Sequence, residues 1–445
     1  MIEKNQDYNV DIVDLGFEGE GITKINGFTM FVKGALKGEK AKIKVLKVNK
    51  DYGFAKLLEV LEESIDREEP VCENFKKCGG CNLQHMNYET QLNHKTNIVK
   101  TTLKKALGYE VKVNNIVGMG IPYHYRNKAQ YPVVNNKIGF YKDRSHDLIE
   151  NEDCCIQNKL SDKLARIAFK ILQKHKITSY DEKTGKGVLR HIVTRIGVNT
   201  GETMLMLVTN GKELKDKEKI VNEIKEEYPE ITTIVQNINE TRGNVILGRE
   251  CITLYGEGYI VDRLGDFKFK ISPLSFYQVN PVQTEILYNI ALNYAELTGE
   301  ETVFDLYSGT GTIAQMMAPA AKKVIGIEII EEAVVAAREN AKLNGLDNCE
   351  FIAGDVLKAI DLVEDKPDLI ILDPPRDGIN PKALEKILAF GVEEMVYISC
   401  KPSSLARDLK VMTDRGYKVK KLCAVDQFPM TTHCESICLL SKKQQ

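Results

Sequence analysis

No stretch of this 445-residue chain approaches the roughly 18 consecutive apolar residues that a membrane-spanning helix needs. The N-terminal sequence MIEKNQDYNVD is charged and has no apolar segment of the kind found in export signals. We therefore expect a cytoplasmic protein with no membrane partner. Because the cytosol keeps thiols reduced, disulfide bonds are the least favoured use for its 11 cysteines.

The chain also lacks a strong net charge, internal repeats and low-complexity tracts. Its formal net charge is −2, so composition gives no global sign of a nucleic-acid partner, and any such sign must be local. The length suggests about two to four domains. An apolar content of 43% is enough to build buried cores for them.

Residues 1–61 contain short alternating segments separated by glycine, which predict a small β-barrel of the OB-like kind. Between Lys33 and Lys56 there are eight lysines and only two acidic residues. Four aromatic residues lie within this segment or just before it: Phe28, Phe31, Tyr52 and Phe54. A solvated barrel face would account for the lysines alone. The combination with aromatic rings favours a nucleic-acid surface, which uses phosphate attraction and base stacking together.

The sequence CENFKKCGGC then places Cys72, Cys78 and Cys81 at the spacing C-x5-C-x2-C. Core packing and a metal site are both open, and four thiolates suit an iron-sulfur cluster and tetrahedral zinc equally well by ligand type. The spacing is not a usual one for a zinc ribbon. His85 is a conceivable further ligand, with a surface or RNA-facing role as its alternative.

Residues 62–260 otherwise mix short strands with charged helices and predict an α+β domain, including a helix at 87–108 that could pack with the C-terminal domain.

Residues 261–445 alternate apolar strands with helices, the pattern of a doubly wound parallel sheet. In VFDLYSGTGT a strand enters a glycine-rich turn, and three successive strands end in an acidic residue: Asp305, Glu328 and Asp355. An acidic residue at the second strand end suits the hydroxyls of an adenosine ribose. The full pyrophosphate fingerprint is absent, so S-adenosylmethionine fits better than NAD. An unrelated α/β domain with a glycine turn is the alternative.

Two further strand ends supply candidate chemistry. The sequence LDPPRDGI ends a strand at Asp373, and the next strand ends at Cys400, just before a helix with Pro402 near its first turn. The carboxyl ends of parallel neighbours open on one crevice, and a helix N-terminus favours a thiolate. We therefore predict a nucleophilic cysteine with a lowered pKa, against the alternative of simple packing.

A methyltransferase needs such a nucleophile when the acceptor carbon is unreactive, as carbon 5 of a pyrimidine is. Thiolate addition at carbon 6 makes carbon 5 nucleophilic, and a base later removes the carbon 5 proton so that the enzyme can leave. The C-terminal sequence QFPMTTHCESICLL offers His433 and Glu435 as that base. A solvated surface glutamate is the alternative for Glu435.

Together these motifs resemble the RNA uracil-5 methyltransferase family, especially its bacterial 23S rRNA members. The resemblance spans nearly the whole chain. It is carried by IVDLGFEGEGI, CENFKKCGGCNLQH, YRNKAQYPV, SFYQVNP, DLYSGTGTI, LDPPRDGI, SCKPSSLARDL and FPMTTHCESICLL. It implies an N-terminal TRAM barrel that binds RNA, a central domain with a 4Fe-4S cluster, and a C-terminal Rossmann-like methyltransferase domain.

The resemblance also implies roles for individual residues. Cys400 is similar to the family's nucleophile and Glu435 to its base. The motif positions similar to the family's S-adenosylmethionine contacts are Gln278, Tyr307, Glu328 and Asp373. The positions similar to its cluster ligands are Cys72, Cys78, Cys81 and Cys154, with Cys155 as an adjacent alternative to Cys154. The chain departs from the family at Lys401, where Asn is common.

The expected function is S-adenosylmethionine-dependent methylation of carbon 5 of a uridine in 23S rRNA, by a monomer with no DNA partner. A tRNA uracil-54 methyltransferase is the alternative within the same chemistry. A non-catalytic iron-sulfur RNA-binding protein and a redox enzyme are alternatives from other classes. The presence of both Cys400 and Glu435 argues against the first of these. The absence of a flavin or pyrophosphate fingerprint argues against the second.

Overall fold

The computed structural model describes residues 2–114 and 116–442, so the outermost residues of the predicted N-terminal and C-terminal domains lie outside the described part. The N-terminal strands are β1 (Asp7–Asp11), β2 (Asp14–Leu15), β3 (Gly21–Ile25), β4 (Phe28–Lys33), β5 (Lys40–Val48) and β6 (Tyr52–Glu62). They form one sheet in the order β1-β5-β6-β4-β3-β2. The two edge strands, β1 and β2, follow each other directly in the chain. The residues between them make hydrogen bonds to the neighbours of both edge strands. Ile12 N–H donates to the Glu39 carbonyl and Val13 N–H to the Ile22 carbonyl, which closes the sheet into a barrel.

The barrel is followed by an irregular segment that carries three cysteines, and then by helix α1 (Tyr88–Leu107). The side chain of Asn87 accepts a hydrogen bond from Thr90 N–H at 2.8 Å and caps the helix start. The helix ends at Gly108, whose φ of 79° is a left-handed conformation that glycine adopts without strain.

A mixed seven-stranded sheet follows, in the order β13-β12-β11-β10-β7-β8-β9. Its elements are β7 (Lys128–Val134), β8 (Lys137–Tyr141), β9 (Leu148–Glu150), α2 (Lys159–Lys174), β10 (Leu189–Ile196), β11 (Thr203–Thr209), α3 (Lys217–Glu227), β12 (Thr233–Ile238) and β13 (Glu250–Tyr255). One face packs on α2 and α3 through Ile192, Leu205 and Leu207. The other face packs on the C-terminal domain through Met204 and Met206.

The C-terminal domain begins with a hairpin and continues as an α/β sheet. Its elements are β14 (Ile260–Leu264), β15 (Phe267–Ile271), α4 (Pro281–Ala295), β16 (Thr302–Leu306), α5 (Thr312–Met317), β17 (Lys323–Glu328), α6 (Glu331–Leu343), β18 (Cys349–Ala353), α7 (Val356–Ala359), β19 (Leu369–Leu372), α8 (Pro381–Ala389), β20 (Glu394–Ser399), α9 (Pro402–Asp414), β21 (Tyr417–Val425) and β22 (Glu435–Lys442). Two short 3-10 helices follow α5 and α7, at Ala318–Ala320 and Ile360–Leu362.

The sheet of this domain has the strand order β18-β17-β16-β19-β20-β22-β21. The first five strands are parallel, and β22 inserts antiparallel between β20 and β21. The predicted doubly wound sheet is confirmed, with its order reversing at β16 and β19. Helix α1 packs on the same domain, because Val99 and Leu103 lie in one apolar cluster with Leu405 and Leu409 of α9. Across residues 2–114 and 116–442, none of the helices is both long and apolar enough to span a membrane.

Candidate active site

The carboxyl ends of four parallel strands bring candidate side chains to one edge of the C-terminal sheet. Leu306 of β16 pairs with Ile327 of β17 on one side and with Leu372 of β19 on the other. The residues that follow these strand ends therefore share the crevice of the order reversal, where ligands bind in such sheets. The sequence-predicted residues at this edge are Tyr307, Glu328, Asp373 and Cys400.

Backbone geometry shapes the turn after β16. Gly309 N–H donates to Glu328 Oε2 at 3.0 Å, and Ile330 N–H donates to Glu328 Oε1 at 2.9 Å, so the Glu328 carboxylate is held at the crevice. Gly311 has a φ of 72°, and a Cβ there would lie 2.6 Å from the Phe351 ring, so only glycine fits. Tyr307 is a non-glycine residue with a φ of 71°, a strained conformation of the kind that is concentrated at functional sites.

The other two strand-end acids, Asp305 and Asp355, make local structural contacts. Asp305 is fully buried, and Ala314 N–H donates to its Oδ2 at 3.1 Å. Burial and the nearby Asp373 raise the pKa of Asp305 to about 8. Asp355 caps α7 by accepting the Leu357 N–H at 2.9 Å. Glu328 is therefore the acid of this group best placed to face a ribose.

Cys400 and Glu435 face each other across two neighbouring strands. Ser399 of β20 pairs with Ser436 of antiparallel β22. The next residues along the two chains, Cys400 and Glu435, therefore lie opposite each other. Opposed residues in such a ladder have Cβ atoms about 4.5–5.5 Å apart. Cys400 is half-buried and Glu435 is buried, so the thiol is the more accessible of the two groups.

The surroundings of Cys400 correct one expectation. Burial, with the carboxylates of Glu435 and Asp373, raises the pKa of the thiol to about 11, so the predicted lowering is wrong for the free protein. The start of α9 favours a thiolate, but burial of the thiol and then the acidic groups of Glu435 and Asp373 outweigh that effect. Lys401, the residue that departs from the family pattern, is exposed at the cap of α9.

Arg376 is a site residue that the sequence reasoning did not select. Its guanidinium hydrogen-bonds the Cys400 sulfur and lowers the pKa of that thiol, against the larger effect of burial. It also lowers the pKa of Glu435. The available signal was the arginine of LDPPRDGI, directly after the strand end at Asp373.

The pKa values of Glu435 and Asp373 both lie close to neutral pH. Burial, followed by repulsion from Asp373, raises the pKa of Glu435 to about 8, and burial raises the pKa of Asp373 to about 7. A carboxyl group with a pKa near the working pH can accept and release a proton efficiently. His433, the other candidate base, lies at the surface just before β22 begins, and partial desolvation of its ring, followed by the positive charge of Arg376, lowers its pKa.

Gln278 also reaches this crevice. Its carbonyl accepts a hydrogen bond from the Asn127 side chain at 3.0 Å, which links the central sheet to the site. Its side chain hydrogen-bonds Tyr288, which lies within electrostatic reach of Asp373 and Glu435. The structure thus places Gln278, Asp373, Cys400 and Glu435 near one another, with Tyr307 and Glu328 at the ends of neighbouring strands.

The loop that leads into Glu435 is anchored by buried polar contacts. Lys95 of α1 forms an ion pair with Asp426 and donates to the Phe428 carbonyl at 3.0 Å. Tyr88 donates to Asp426 at 2.7 Å. Farther along the loop, Leu83 N–H donates to the Met430 carbonyl at 3.1 Å. The loop is thus held by α1 and by the segment that carries the cysteines.

Five cysteines from two segments line one cavity of about 50 Å³: Cys72, Cys78, Cys81, Cys154 and Cys155. The side chain of Gln84 also lines it and donates to the Cys155 sulfur at 3.2 Å. In the part of the chain that the structure describes, no three or more His, Cys, Asp or Glu side chains are arranged as a metal-binding group. The cysteines are therefore brought together, but a metal centre is not shown.

His85 does not join these cysteines, and its predicted surface or RNA-facing position is wrong. The ring is buried and packs on Phe75 with centroids 5.4 Å apart. Burial and the charge of Arg67 lower the pKa of His85 to about 4, so it is a neutral core residue. The sequence CNLQH gives no sign of this burial, which depends on how the segment folds back.

Comparisons with known proteins identify the family of this chain and the domain at its N-terminus. The family described as tRNA (Uracil-5-)-methyltransferase matches residues 87–443, and the TRAM domain matches residues 3–58. A Clostridium tetani protein named "Uncharacterized RNA methyltransferase" is 46% identical over 447 residues, covering 99% of this chain and 97% of the relative. A Listeria monocytogenes protein with the same description is also 46% identical, covering 99% of this chain and 98% of the relative.

A solved structure matches nearly the whole chain. It is the Pyrococcus abyssi tRNA (uracil-54, C5)-methyltransferase in complex with S-adenosyl-L-homocysteine. The two chains are 27% identical with a TM-score of 0.80, and the match covers 97% of this chain and 99% of the other.

Proposed function

The chain belongs to the tRNA (uracil-5-)-methyltransferase family and is an RNA methyltransferase; we propose that it uses S-adenosylmethionine to methylate carbon 5 of a specific uridine in 23S rRNA through a covalent cysteine adduct. The observation that carries the proposal is the pairing of Cys400 with Glu435 at the crevice edge, beside Asp373. A nucleophile and a base in contact with one crevice are what carbon 5 methylation requires.

In the proposed reaction the Cys400 sulfur, once deprotonated, adds to carbon 6 of the uracil. Arg376 favours the thiolate by its charge and its hydrogen bond. The electron pair displaced from the double bond makes carbon 5 nucleophilic, and carbon 5 takes the electrophilic methyl group that S-adenosylmethionine supplies. Glu435 then removes the carbon 5 proton, and the electrons left behind expel the Cys400 sulfur and restore the double bond.

Four residues are proposed to hold the methyl donor: Gln278, Tyr307, Glu328 and Asp373. The Glu328 carboxylate is fixed by backbone N–H groups on both oxygens and keeps further lone pairs for ribose hydroxyls. Asp373, whose carboxylate acts electrostatically on Cys400, would supply negative charge to a positively charged methyl donor. Tyr307 is half-buried at the mouth of the turn and can cover the bound molecule.

The substrate assignment is tested with purified protein and radiolabelled S-adenosylmethionine. Separate incubations with 23S rRNA and with bulk tRNA, followed by digestion to nucleosides, should place label in 5-methyluridine from the rRNA. The likeness to the Pyrococcus abyssi enzyme, a tRNA (uracil-54, C5)-methyltransferase, favours the tRNA alternative. Label in 5-methyluridine from tRNA alone would replace the rRNA proposal with that alternative, and label in another nucleoside would contradict both.

Release of product should depend on pH through Glu435. Its folded pKa of about 8 lies above that of an exposed glutamate, so the carboxylate is the minor form below that pH. The ionised fraction, and with it the release rate of methylated RNA, should rise about tenfold per pH unit up to pH 8 and then flatten. Rapid-quench measurements across this range test it, with methyl transfer in the first turnover as the reference step. A release rate independent of pH from about 6 upward would mean that Glu435 titrates as an exposed glutamate does.

We also propose a 4Fe-4S cluster held by Cys72, Cys78, Cys81 and Cys154. The donor set fits, because thiolates are the usual ligands of such clusters and five cysteines share one cavity. Burial raises the pKa of the Cys154 thiol to about 12, and the neighbouring backbone of Ile156 and Gln157 acts in the opposite direction, whereas Cys155 receives the Gln84 side chain. The neighbouring backbone favours Cys154 over Cys155 as the fourth ligand, and the cluster would join residues 72–81 to residue 154.

Protein purified without oxygen should contain about four iron and four sulfide ions per chain. Cys154→Ser should lose most of this iron, and Cys155→Ser should retain it, because only the first removes a ligand. Iron and acid-labile sulfide are measured directly, without an activity assay. Stoichiometric zinc without iron would contradict the proposal, and iron loss confined to Cys155→Ser would exchange the fourth ligand.

A further inference from the structure

Three aromatic side chains form one contacting cluster on the outside of the N-terminal barrel. We name Phe31, Tyr52 and Phe54 the aromatic triad. Their ring centroids are 5.8 Å apart for Phe31 with Tyr52, 5.8 Å for Phe31 with Phe54 and 5.6 Å for Tyr52 with Phe54. Tyr52 is 41% exposed and Phe54 is 37% exposed, although aromatic rings are usually covered in folded proteins. The triad is thus an open π surface.

The strand register produces this surface. On the parallel pair β4 and β6, Phe31 lies opposite Phe54 and Thr29 lies opposite Tyr52. Side chains alternate along a strand, so the intervening Met30 and Ala55 point into the barrel core and are buried. The triad therefore lies on the outward face of rigid strands, with its geometry set by the ladder rather than by a loop.

Lysines of the same and neighbouring strands lie close to the triad. Lys47 of β5 lies opposite Phe54, Lys24 of β3 lies opposite Thr29, and Lys56 continues the outward face of β6. Within the described residues, none of these three lysines makes an ion pair, whereas Lys33 pairs with Asp143. Three lysines without ion pairs among the described residues therefore lie near the aromatic side chains, while the Glu20 carboxylate lies near Phe31. A polyanion with exposed aromatic groups complements the rings and the lysines.

The barrel also contacts the loop that leads to Glu435. A Cβ at Gly19 would lie 3.5 Å from the Thr432 methyl group, and a Cβ at Gly16 would lie 3.3 Å from the Phe31 ring. Gly16 and Gly19 belong to the single turn between β2 and β3. This turn, which also carries Glu18 and Glu20, therefore lies between the aromatic triad and the loop that leads to Glu435.

We propose that the aromatic triad stacks unpaired bases of the substrate RNA that flank the target uridine. This inference rests on the proposed function only for the identity of the RNA. Stacking requires a base whose face is exposed, which a loop or single strand offers and a duplex does not. The lysines hold the adjacent phosphates, and the triad fixes how far the strand runs from the crevice.

The test uses fluorescein-labelled dodecauridine as a single-stranded probe and a duplex of 12 base pairs as its comparison. Tyr52→Leu and Phe54→Leu keep apolar volume and remove the ring, so each should weaken dodecauridine binding about tenfold or more. Duplex binding should change much less. The salt dependence of binding should stay as in the wild type, because no phosphate contact is lost. Lys47→Gln and Lys56→Gln should instead reduce the salt dependence.

Two control variants separate stacking from folding. Leu61→Ala removes an exposed apolar side chain from the same strand, about 23 Å from Phe54, and should leave affinity unchanged. Tyr52→Phe restores the ring without the hydroxyl group and should bind as the wild type does. Equal weakening by Leu61→Ala, or weakening by Tyr52→Phe, would overturn the proposal.

The outcomes also distinguish this inference from the proposed function. If Tyr52→Leu and Phe54→Leu bind dodecauridine as tightly as the wild type, the triad does not stack bases. That face would then belong to a protein partner, even with 5-methyluridine production intact. If the wild type forms no 5-methyluridine while these variants lose affinity for dodecauridine, the proposed reaction is contradicted and the stacking surface stands.

Discussion

Replacing Cys400 with alanine is expected to lower the rate of methyl transfer to RNA by at least about 10⁴-fold, the order of loss seen when a nucleophile is removed. The expectation follows from the proposed chemistry, in which carbon 5 of uracil cannot attack a methyl donor until a thiolate has added to carbon 6. The measurement is transfer of labelled methyl groups to 23S rRNA in a single turnover, with enzyme in excess.

The Cys400 prediction has a matched control and a binding readout. Cys349 is another half-buried cysteine of the same sheet, at the start of β18. Cys349→Ala should transfer methyl groups at a rate within threefold of the wild type, which corresponds to a change of about 0.6 kcal/mol in the activation free energy. Calorimetry should show that Cys400→Ala still binds S-adenosylmethionine. Residual transfer within tenfold of the wild type would mean that the reaction does not use this sulfur.

Replacing Lys95 with alanine should give the largest loss of stability. Its side chain and that of Asp426 are both 0% exposed, and the replacement leaves a buried carboxylate without its cation. Removing one partner of a buried pair typically lowers the free energy of unfolding by about 3–5 kcal/mol. Urea denaturation followed by circular dichroism measures the effect as a shift of the unfolding midpoint.

The comparison variants make the Lys95 prediction specific. Lys100→Ala removes an exposed lysine from the same helix and should change the free energy of unfolding by less than about 0.5 kcal/mol. The double replacement Lys95→Met with Asp426→Leu should recover much of the loss, because no unpaired charge remains. Equal midpoints for Lys95→Ala and Lys100→Ala would show that the ion pair does not hold the loop before Glu435.

The strand-and-turn pattern was sufficient to predict the barrel and the C-terminal sheet. LIIL and its neighbours are continuous apolar runs, which indicate parallel strands buried on both faces, and the residues after each run were correctly expected at one sheet edge. The placement of β22 between β20 and β21 was not predicted. Its register brings Glu435 beside Cys400, and no local pattern encodes pairing between strands.

Electrostatic properties of the site depended on contacts that the sequence does not display. The Cys400 thiol was expected to have a lowered pKa from its helix start, but burial, followed by acidic groups at the ends of two other strands, raises it. Lys95 and Asp426 lie 331 positions apart, so their ion pair has no sequence signature. The burial of His85 was likewise not predictable, because it depends on tertiary folding rather than on the neighbouring residues in CNLQH.

The most direct test of the account is a denaturing gel of Glu435→Gln after incubation with 23S rRNA and radiolabelled methyl donor. Glutamine keeps the shape of the side chain and removes the base, so methyl transfer should occur once and elimination should fail. The account predicts a slowly migrating, labelled protein–RNA band that Cys400→Ala does not form. Ordinary turnover by Glu435→Gln, or a labelled band with Cys400→Ala, would contradict the assignment of the base or of the nucleophile.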